Sequence, residues 1–257
     1  MAEALIKGLI AGGAATGGTI AVHDPSPERQ DLLRLTYRVN VVPDNQAVLD
    51  GSTVVVLAVK PQMMDQVIAE VGRSFTPAHT VVSIAAGVTL AGIEAGLNPG
   101  VPVIRVMPNT PALVQSGAAA MAPGSSAGPE HVAQARAVFA AVGLVVDLDE
   151  RYLDAVTGLS GSGPAYVFIF LEALTDGAVR MGLPRAQARL LAAQTVLGAA
   201  RLALESGAHP GELKDMVTSP GGTTAAGLHA LEKGGFRALV QDAVAASTIR
   251  SRELGKK

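Results

Sequence analysis

Thr218-Ser219-Pro220-Gly221-Gly222-Thr223-Thr224 is the segment of this 257-residue chain whose residue types speak most directly of chemistry. It precedes a stretch whose periodicity predicts a helix from about Thr223 to Glu232, so hydroxyls and unhindered backbone amides gather at a helix N-terminus. Free N–H groups and the positive end of the helix dipole suit that place to a carboxylate or a phosphate. An ordinary Ser or Thr cap also explains hydroxyls there, but it has no use for Pro-Gly-Gly, whose backbone freedom is lost on folding.

Three further loops share one setting. Leu57-Ala58-Val59-Lys60-Pro61-Gln62 leaves an apolar run through a cation and a proline. Ser83-Ile84-Ala85-Ala86-Gly87 leaves the next run through residues small enough for a flat ring to lie against the backbone. Met107-Pro108-Asn109-Thr110-Pro111-Ala112 is stiff and polar, a form of loop that often carries substrate contacts. Each reads equally as a solvated strand end or a structural turn. Leu159-Ser160-Gly161-Ser162-Gly163-Pro164 predicts a second helix start, better suited to close helix packing than to a ligand. Gly12-Gly13-Ala14-Ala15-Thr16-Gly17-Gly18 has glycines enough for a phosphate loop. A helical stretch precedes it and a strand follows, the reverse of that motif's order, so it reads as a helix end and a turn.

Absences narrow the chemistry. The five histidines, His23, His79, His131, His209 and His229, are scattered, none forms a spaced metal pair, and no metal site is expected. No two carboxylates stand out as an acid and base couple. If the chain is an enzyme, a cofactor must bring the reactive group, and the protein supplies orientation and hydrogen bonds.

The elements that hold these loops can be read in outline. Thr19–Val22, Val54–Val59, Thr80–Ile84, Val103–Val106 and Leu144–Asp147 predict strands, separated by helical stretches such as Pro25–Leu35, Met63–Val71 and His131–Val142. That alternation predicts an α/β fold with a Rossmann-like, doubly wound parallel sheet, whose ligands lie beyond the carboxyl ends of the strands. Val54–Val59 shows no alternation, as a strand covered on both faces requires, and is expected to be central. After about Glu150 no β-branched run follows, and Pro164–Met181 and Arg185–Leu204 have helical period around Gly182-Leu183-Pro184. The expected division is therefore 1–149, a dinucleotide-binding domain, and 150–257, an all-helical substrate-binding and dimerisation domain. The first long helix is nearly uncharged through Leu171, which predicts burial against a second subunit.

Composition excludes whole classes. With no cysteine there is no thiol nucleophile, disulfide, iron–sulfur cluster or thiolate zinc site. A net charge of −2 and 3% aromatic residues give neither the basic field nor the stacking platforms that nucleic acid needs. The longest apolar runs fall far short of the roughly 20 residues of a membrane span. Met1 leads straight into a stretch carrying Glu3 and Lys7, so no signal peptide and a cytoplasmic location are expected.

Val59-Lys60-Pro61-Gln62, Ser83–Gly87, Met107–Pro111, Thr157-Gly158-Leu159-Ser160-Gly161-Ser162-Gly163-Pro164-Ala165-Tyr166 and Thr218–Thr224 occur in this order in pyrroline-5-carboxylate reductases, which the chain resembles over essentially its whole length. The resemblance implies reduction of the C=N bond of 1-pyrroline-5-carboxylate to L-proline by NADPH or NADH, the last step of proline biosynthesis. It implies homodimers, assembled further into a decamer of five dimers. By position it implies that Asn45, Ala58, Val59, Lys60, Pro61, Ile84, Ala85 and Ala86 line the cofactor site. Glu150, Ser219, Gly222, Thr223 and Thr224 would hold the substrate, with the Thr224 hydroxyl bonded to the ring nitrogen as the catalytic group.

Relative to that family pattern, Met1-Ala2-Glu3-Ala4 stands already inside the first helix, so the first strand and its Gly-rich turn are expected to be missing. Asp24, just past the Thr19–Val22 strand, suits ribose hydroxyls and repels a 2′-phosphate, whereas Arg29 one helical turn on favours it, leaving NAD and NADP both open. Two other readings remain. One is a reductase of another small cyclic imine, or a β-hydroxyacid dehydrogenase-like enzyme using a lysine such as Lys214. The other is a non-catalytic dimerising protein.

Overall fold

Helix α1 (Ala2–Ala11) turns Ala4, Leu5 and Ile6 inward, and its Gly8 lies so close to Val142 and the Ala141 carbonyl that a Cβ there would stand 2.2 Å from Val142 Cγ1. The helix ends at Gly12, and the Gly-rich segment turns through Gly13 at φ +69° into strand β1 (Ala21–Val22). Of the expected Thr19–Val22 strand only Ala21–Val22 forms strand, because Gly17–Thr19 forms a 3-10 turn that ends at Ile20. Helix α2 (Pro27–Tyr37) starts with Pro27 in its first turn and Ser26 as cap, and β2 (Asn40–Val41) pairs parallel to β1. The computed structural model describes residues 1–255, which divide into two packed units: Met1–Ser162 with the segment from Ala245, and Gly163–Val244.

The first unit continues with α3 (Asn45–Asp50), β3 (Val54–Leu57), α4 (Met64–Val71), β4 (Thr80–Ser83), α5 (Leu90–Gly96), β5 (Val103–Met107), β6 (Gly117–Pro123), α6 (Pro129–Ala140), β7 (Gly143–Asp147) and α7 (Leu153–Val156). Strands β3 to β7 form one sheet in chain order, and β1 and β2 form a separate pair. Strands β3, β4 and β5 are parallel, with Leu57 beside Ser83 and Val82 beside Ile104. Strand β6 runs antiparallel to β5, with Met107 beside Ala120, so the sheet is mixed.

Two expectations need correcting. The sequence showed no strand over Gly117–Pro123, because the run Gly-Ala-Ala-Ala-Met-Ala-Pro has no β-branched residue; Ala119, Ala120, Met121 and Ala122 are nonetheless buried. Strand β3 is not central but ends the five-stranded sheet. Its apolar run reflects cover on both faces: Val55 and Leu57 join one core cluster, and Val54 and Val56 pack on the cluster that holds Ala4 and Leu5. Helix α1 thereby serves both sheets, since its Ile6 packs with Leu33 and Val39 beside β1 and β2.

Residues from Ala245 close the first unit. Ser162 and Ser247 share a hydrogen bond of 2.8 Å between hydroxyls, Ser251 Oγ donates to Asp154 Oδ1 at 2.6 Å, and the backbone at Gly255 lies against Gly87.

The second unit is helical: α8 (Gly163–Arg180), α9 (Arg185–Ser206), α10 (Pro210–Met216), α11 (Thr223–Lys233) and α12 (Phe236–Leu254), the last running on into the closing segment. Gly182 at φ +99° makes the turn between α8 and α9, a conformation open to glycine. Phe170 of α8 meets Phe236 of α12 with ring centroids 5.9 Å apart. Phe168 and Ile169 of α8 and Leu190 and Leu197 of α9 are more than half exposed on the single chain.

Candidate functional site

The carboxyl ends of β3 and β4 lie side by side because the strands are parallel neighbours. Ile84 N–H donates to Leu57 O at 3.3 Å, tying the two exit loops at their base. Beyond β3 come Ala58 and Val59, then exposed Lys60 and a 3-10 turn opened by Pro61. Beyond β4, Ala85 is buried, Ile84 and Ala86 are half-buried, and Gly87 bends the chain at φ +78°. Positions 85–87 carry no side chain larger than a methyl group. Thin backbone at adjacent parallel strand ends, with one cation at the rim, fits the flat rings and phosphates of a dinucleotide. Asn45 opens α3 and donates from Nδ2 to Glu70 Oε2 at 3.0 Å. The structure thus brings 58–61 and 84–86 together, and gives Asn45 a partner on α4.

In the helical unit, Gly221 at φ +68° turns the chain so that Gly222 N–H donates to Ser219 O at 3.0 Å. Gly222 then precedes α11 with no side chain capping the helix, unlike α2, α3 and α5, which Ser26, Asp44 and Thr89 cap. A Cβ on Gly222 would stand 2.4 Å from Ser219 Oγ, so only glycine lets that hydroxyl fold over the helix start. Thr224 is half-buried and Ser219 and Thr223 are exposed. Thr218 Oγ1 donates to Lys214 O at 2.6 Å, which turns this hydroxyl away from the helix start. Lys214 itself pairs with Asp215.

Glu150 is committed within the first unit. Its Oε1 accepts from Arg105 Nη1 at 2.9 Å and from Leu90 N–H at 2.7 Å. Asn109 is likewise used internally, with Oδ1 accepting from Ala118 N–H at 2.9 Å and Nδ2 donating to Ser160 O at 3.0 Å. The start expected at Pro164 is not a free helix terminus: α7 runs into a π-helical turn over Thr157–Gly161, and α8 follows directly. Gly161 in this turn lets Met107 come close, since a Cβ there would stand 2.6 Å from Met107 Cε.

One cluster had no signal in the sequence, because its members are far apart along the chain. Arg29 Nη2 donates to Glu3 Oε2 at 2.8 Å and Tyr37 OH to Glu3 Oε1 at 3.0 Å. The bond from Arg29 holds the Glu3 carboxyl below the ordinary carboxylate range, assisted by Tyr37 and opposed by burial. The bond to Glu3 raises the Arg29 guanidinium, and the charge of Asp24 adds to it. Burial, then the Glu3 carboxylate, raises the Tyr37 hydroxyl.

Comparison with known proteins bears on this arrangement. Residues 150–254 match the family model described as pyrroline-5-carboxylate reductase dimerisation, and residues 1–87 match that described as NADP oxidoreductase coenzyme F420-dependent. A pyrroline-5-carboxylate reductase from Synechocystis sp. is 51% identical over 258 residues, covering 100% of this chain and 96% of the relative. The chain belongs to the pyrroline-5-carboxylate reductase family. A solved pyrroline-5-carboxylate reductase from Coxiella burnetii superposes with a TM-score of 0.92 at 38% identity, over 100% of this chain and 95% of that one. A pyrroline carboxylate reductase from Plasmodium falciparum, solved with NADP bound, gives 0.88 at 28% identity over 98% and 94%. The fold is thus the family's Rossmann-like domain followed by its helical dimerisation domain, and the chain is an oxidoreductase of the last step of proline biosynthesis. As a family member it acts on a small molecule and assembles as a homo-oligomer.

Proposed function

We propose that residues 1–149 bind the dinucleotide and residues 150–257 the imine and the partner subunit. Ala58, Val59, Lys60 and Pro61 would line the dinucleotide on one side and Ile84, Ala85 and Ala86 on the other, with Asn45 at the rim. When bound, the reduced nicotinamide supplies a hydride to the imine carbon of 1-pyrroline-5-carboxylate. The substrate carboxylate would sit on the N–H groups at the start of α11, beside Ser219, Gly222 and Thr223, where the helix dipole favours an anion. Thr224 Oγ1 would bond the ring nitrogen and guide the proton that nitrogen gains as hydride arrives, so the C=N bond becomes the C–N bond of L-proline. A neutral hydroxyl suits that task, since it can accept from a protonated imine and relay a proton from water. Glu150 enters this reading through Arg105, as support for the sheet, with the direct contacts left to 219–224.

The observation that carries the proposal is the uncapped, glycine-led start of α11 with Ser219 folded over it. The test is nicotinamide oxidation and L-proline formation from 1-pyrroline-5-carboxylate by wild type and Thr224→Ala. Equal rates for the two proteins remove Thr224 from its role.

The partner in the assembly is a second copy meeting the exposed apolar faces of α8 and α9, with five such dimers forming a decamer. Net charge −2 argues against nucleic acid as a partner. Among the described residues no helix is long and apolar enough to cross a membrane. The enzyme is placed in the cytoplasm by its resemblance to the family, without a membrane partner.

A further inference from the structure

The carboxyl end of β1 carries a net negative charge that the sequence alone does not reveal. Asp24 stands two residues beyond Val22, the last residue of β1. Its Oδ1 accepts from Ser26 N–H at 2.9 Å, and its carbonyl accepts from Gln30 Nε2 at 2.7 Å, so the residue is pinned at the strand's exit. In doubly wound sheets a carboxylate at such an exit accepts the adenosine ribose hydroxyls, and a nearby arginine is what accommodates a 2′-phosphate.

Arg29 is the arginine in the right place by sequence, but its guanidinium is bonded to Glu3 on α1 at 2.8 Å. Glu3 is held in turn by Tyr37 OH at 3.0 Å, so the acceptor is fixed from two sides. Asp24 and Glu3 together contribute two negative charges and Arg29 one positive, leaving one negative charge at the strand exit. Glu28, in the first turn of α2, adds a further carboxylate. The other cations of this region are elsewhere. Arg34 pairs with Asp31, and Arg38 caps the far end of α2, at about 1.5 Å per residue some 15 Å from its start. Lys7 Nζ donates to Leu113 O at 3.2 Å.

We propose that Asp24, with Arg29 withheld by Glu3, makes this chain discriminate against a dinucleotide carrying a 2′-phosphate, so that NADH is its preferred reductant. A phosphate monoester carries roughly −1.5 to −2 charge at neutral pH, whereas a ribose hydroxyl is neutral and donates to a carboxylate. The proposal rests on the reading that the strand-end loops hold the dinucleotide, and it sets this chain apart from the Plasmodium falciparum relative solved with NADP.

Calorimetric titration of the full-length protein with NADH and with NADPH, in the absence of imine, tests it. Wild type is expected to bind NADH at least about tenfold tighter than NADPH, and Asp24→Asn, which keeps an acceptor for Ser26 N–H, to shrink that ratio to within about threefold. Glu3→Gln, which releases Arg29, is expected to tighten NADPH more than NADH, and thermal melts confirm that both variants are folded. Wild-type binding of NADPH as tight as that of NADH, or an Asp24→Asn ratio equal to that of wild type, overturns the proposal. Binding of neither dinucleotide overturns it together with the reading of the loops. Normal dinucleotide binding without proline formation overturns only the assignment at 219–224.

Discussion

Arg105 Nη1 donates to Glu150 Oε1 at 2.9 Å, joining a residue that is 5% exposed in the middle strand of the sheet to the residue that opens the turn before α7. The same carboxylate oxygen takes the first N–H of α5, so one acceptor fixes three elements.

Removing the charge while keeping the shape shows what that junction contributes. Glu150→Gln leaves a buried guanidinium without its counter-charge, a loss of about 2 kcal/mol given that the carboxylate is itself partly exposed. Thermal melting is expected to drop by about 4–8 °C. An unchanged melting temperature would mean that water already satisfies Arg105.

At the start of α11, Gly222→Ala forces Ser219 Oγ off the helix start, since the new Cβ would lie 2.4 Å from it. The backbone of Gly222, at φ −77°, accepts alanine without strain, so folding survives. Steady-state kinetics are expected to show KM for the imine rising about tenfold with kcat changed far less, the pattern of lost ground-state binding. A fall in kcat with KM unchanged would place Ser219 in the chemical step.

Thr224→Ser and Thr224→Ala separate the hydroxyl from the methyl group. Alanine is expected to lower kcat/KM by about 10- to 100-fold and serine to restore most of it, because the role assigned needs only the oxygen. Equal losses in both variants would assign the residue to packing.

Glu3 supplies a prediction with a sign in pH. Its folded-state pKa is lowered, chiefly by the bond from Arg29, so its stabilising effect is present above the ordinary carboxylate pKa of about 4.3 and is lost as pH falls through the depressed value. Glu3→Gln is expected to destabilise the protein at neutral pH by under about 1 kcal/mol, since both partners are partly exposed and screened. In denaturant titrations the difference between the two proteins should close as the solution is acidified below pH 4.

The helical unit offers a test of assembly. Leu190→Glu, on the exposed apolar face of α9, is expected to yield a smaller species in light scattering. Leu35→Glu on α2, more exposed still, is expected to leave the mass unchanged.

What could be read in advance follows from the range of the forces involved. Strands β3, β4, β5 and β7 announced themselves because β-branched runs bounded by loops are local, and the start of α11 did so because Pro-Gly-Gly among hydroxyls has few other uses. Strand β6 escaped because alanine carries no strand signal of its own, although Ala120, Met121 and Ala122 are nearly as buried as Val103 or Ile104. The lateral place of β3 also escaped, since an apolar run records cover above and below but not neighbours to each side. The partners of Glu3 and Glu150 could not be read at all: Arg29 is 26 residues from Glu3 and Arg105 is 45 from Glu150. Charge at the exit of β1 depends on such pairings, which is why the sequence left the two dinucleotides undecided.

The hydrogen bonds from Ser247 to Ser162 and from Ser251 to Asp154 make the helical unit, in topological terms, an insertion within the first. During synthesis the loop after β4 emerges early, yet the turn of α12 that lies against Gly87 leaves the ribosome only after every helix of the insertion has been made. The unit that is begun first is therefore closed only after the inserted helices have been made.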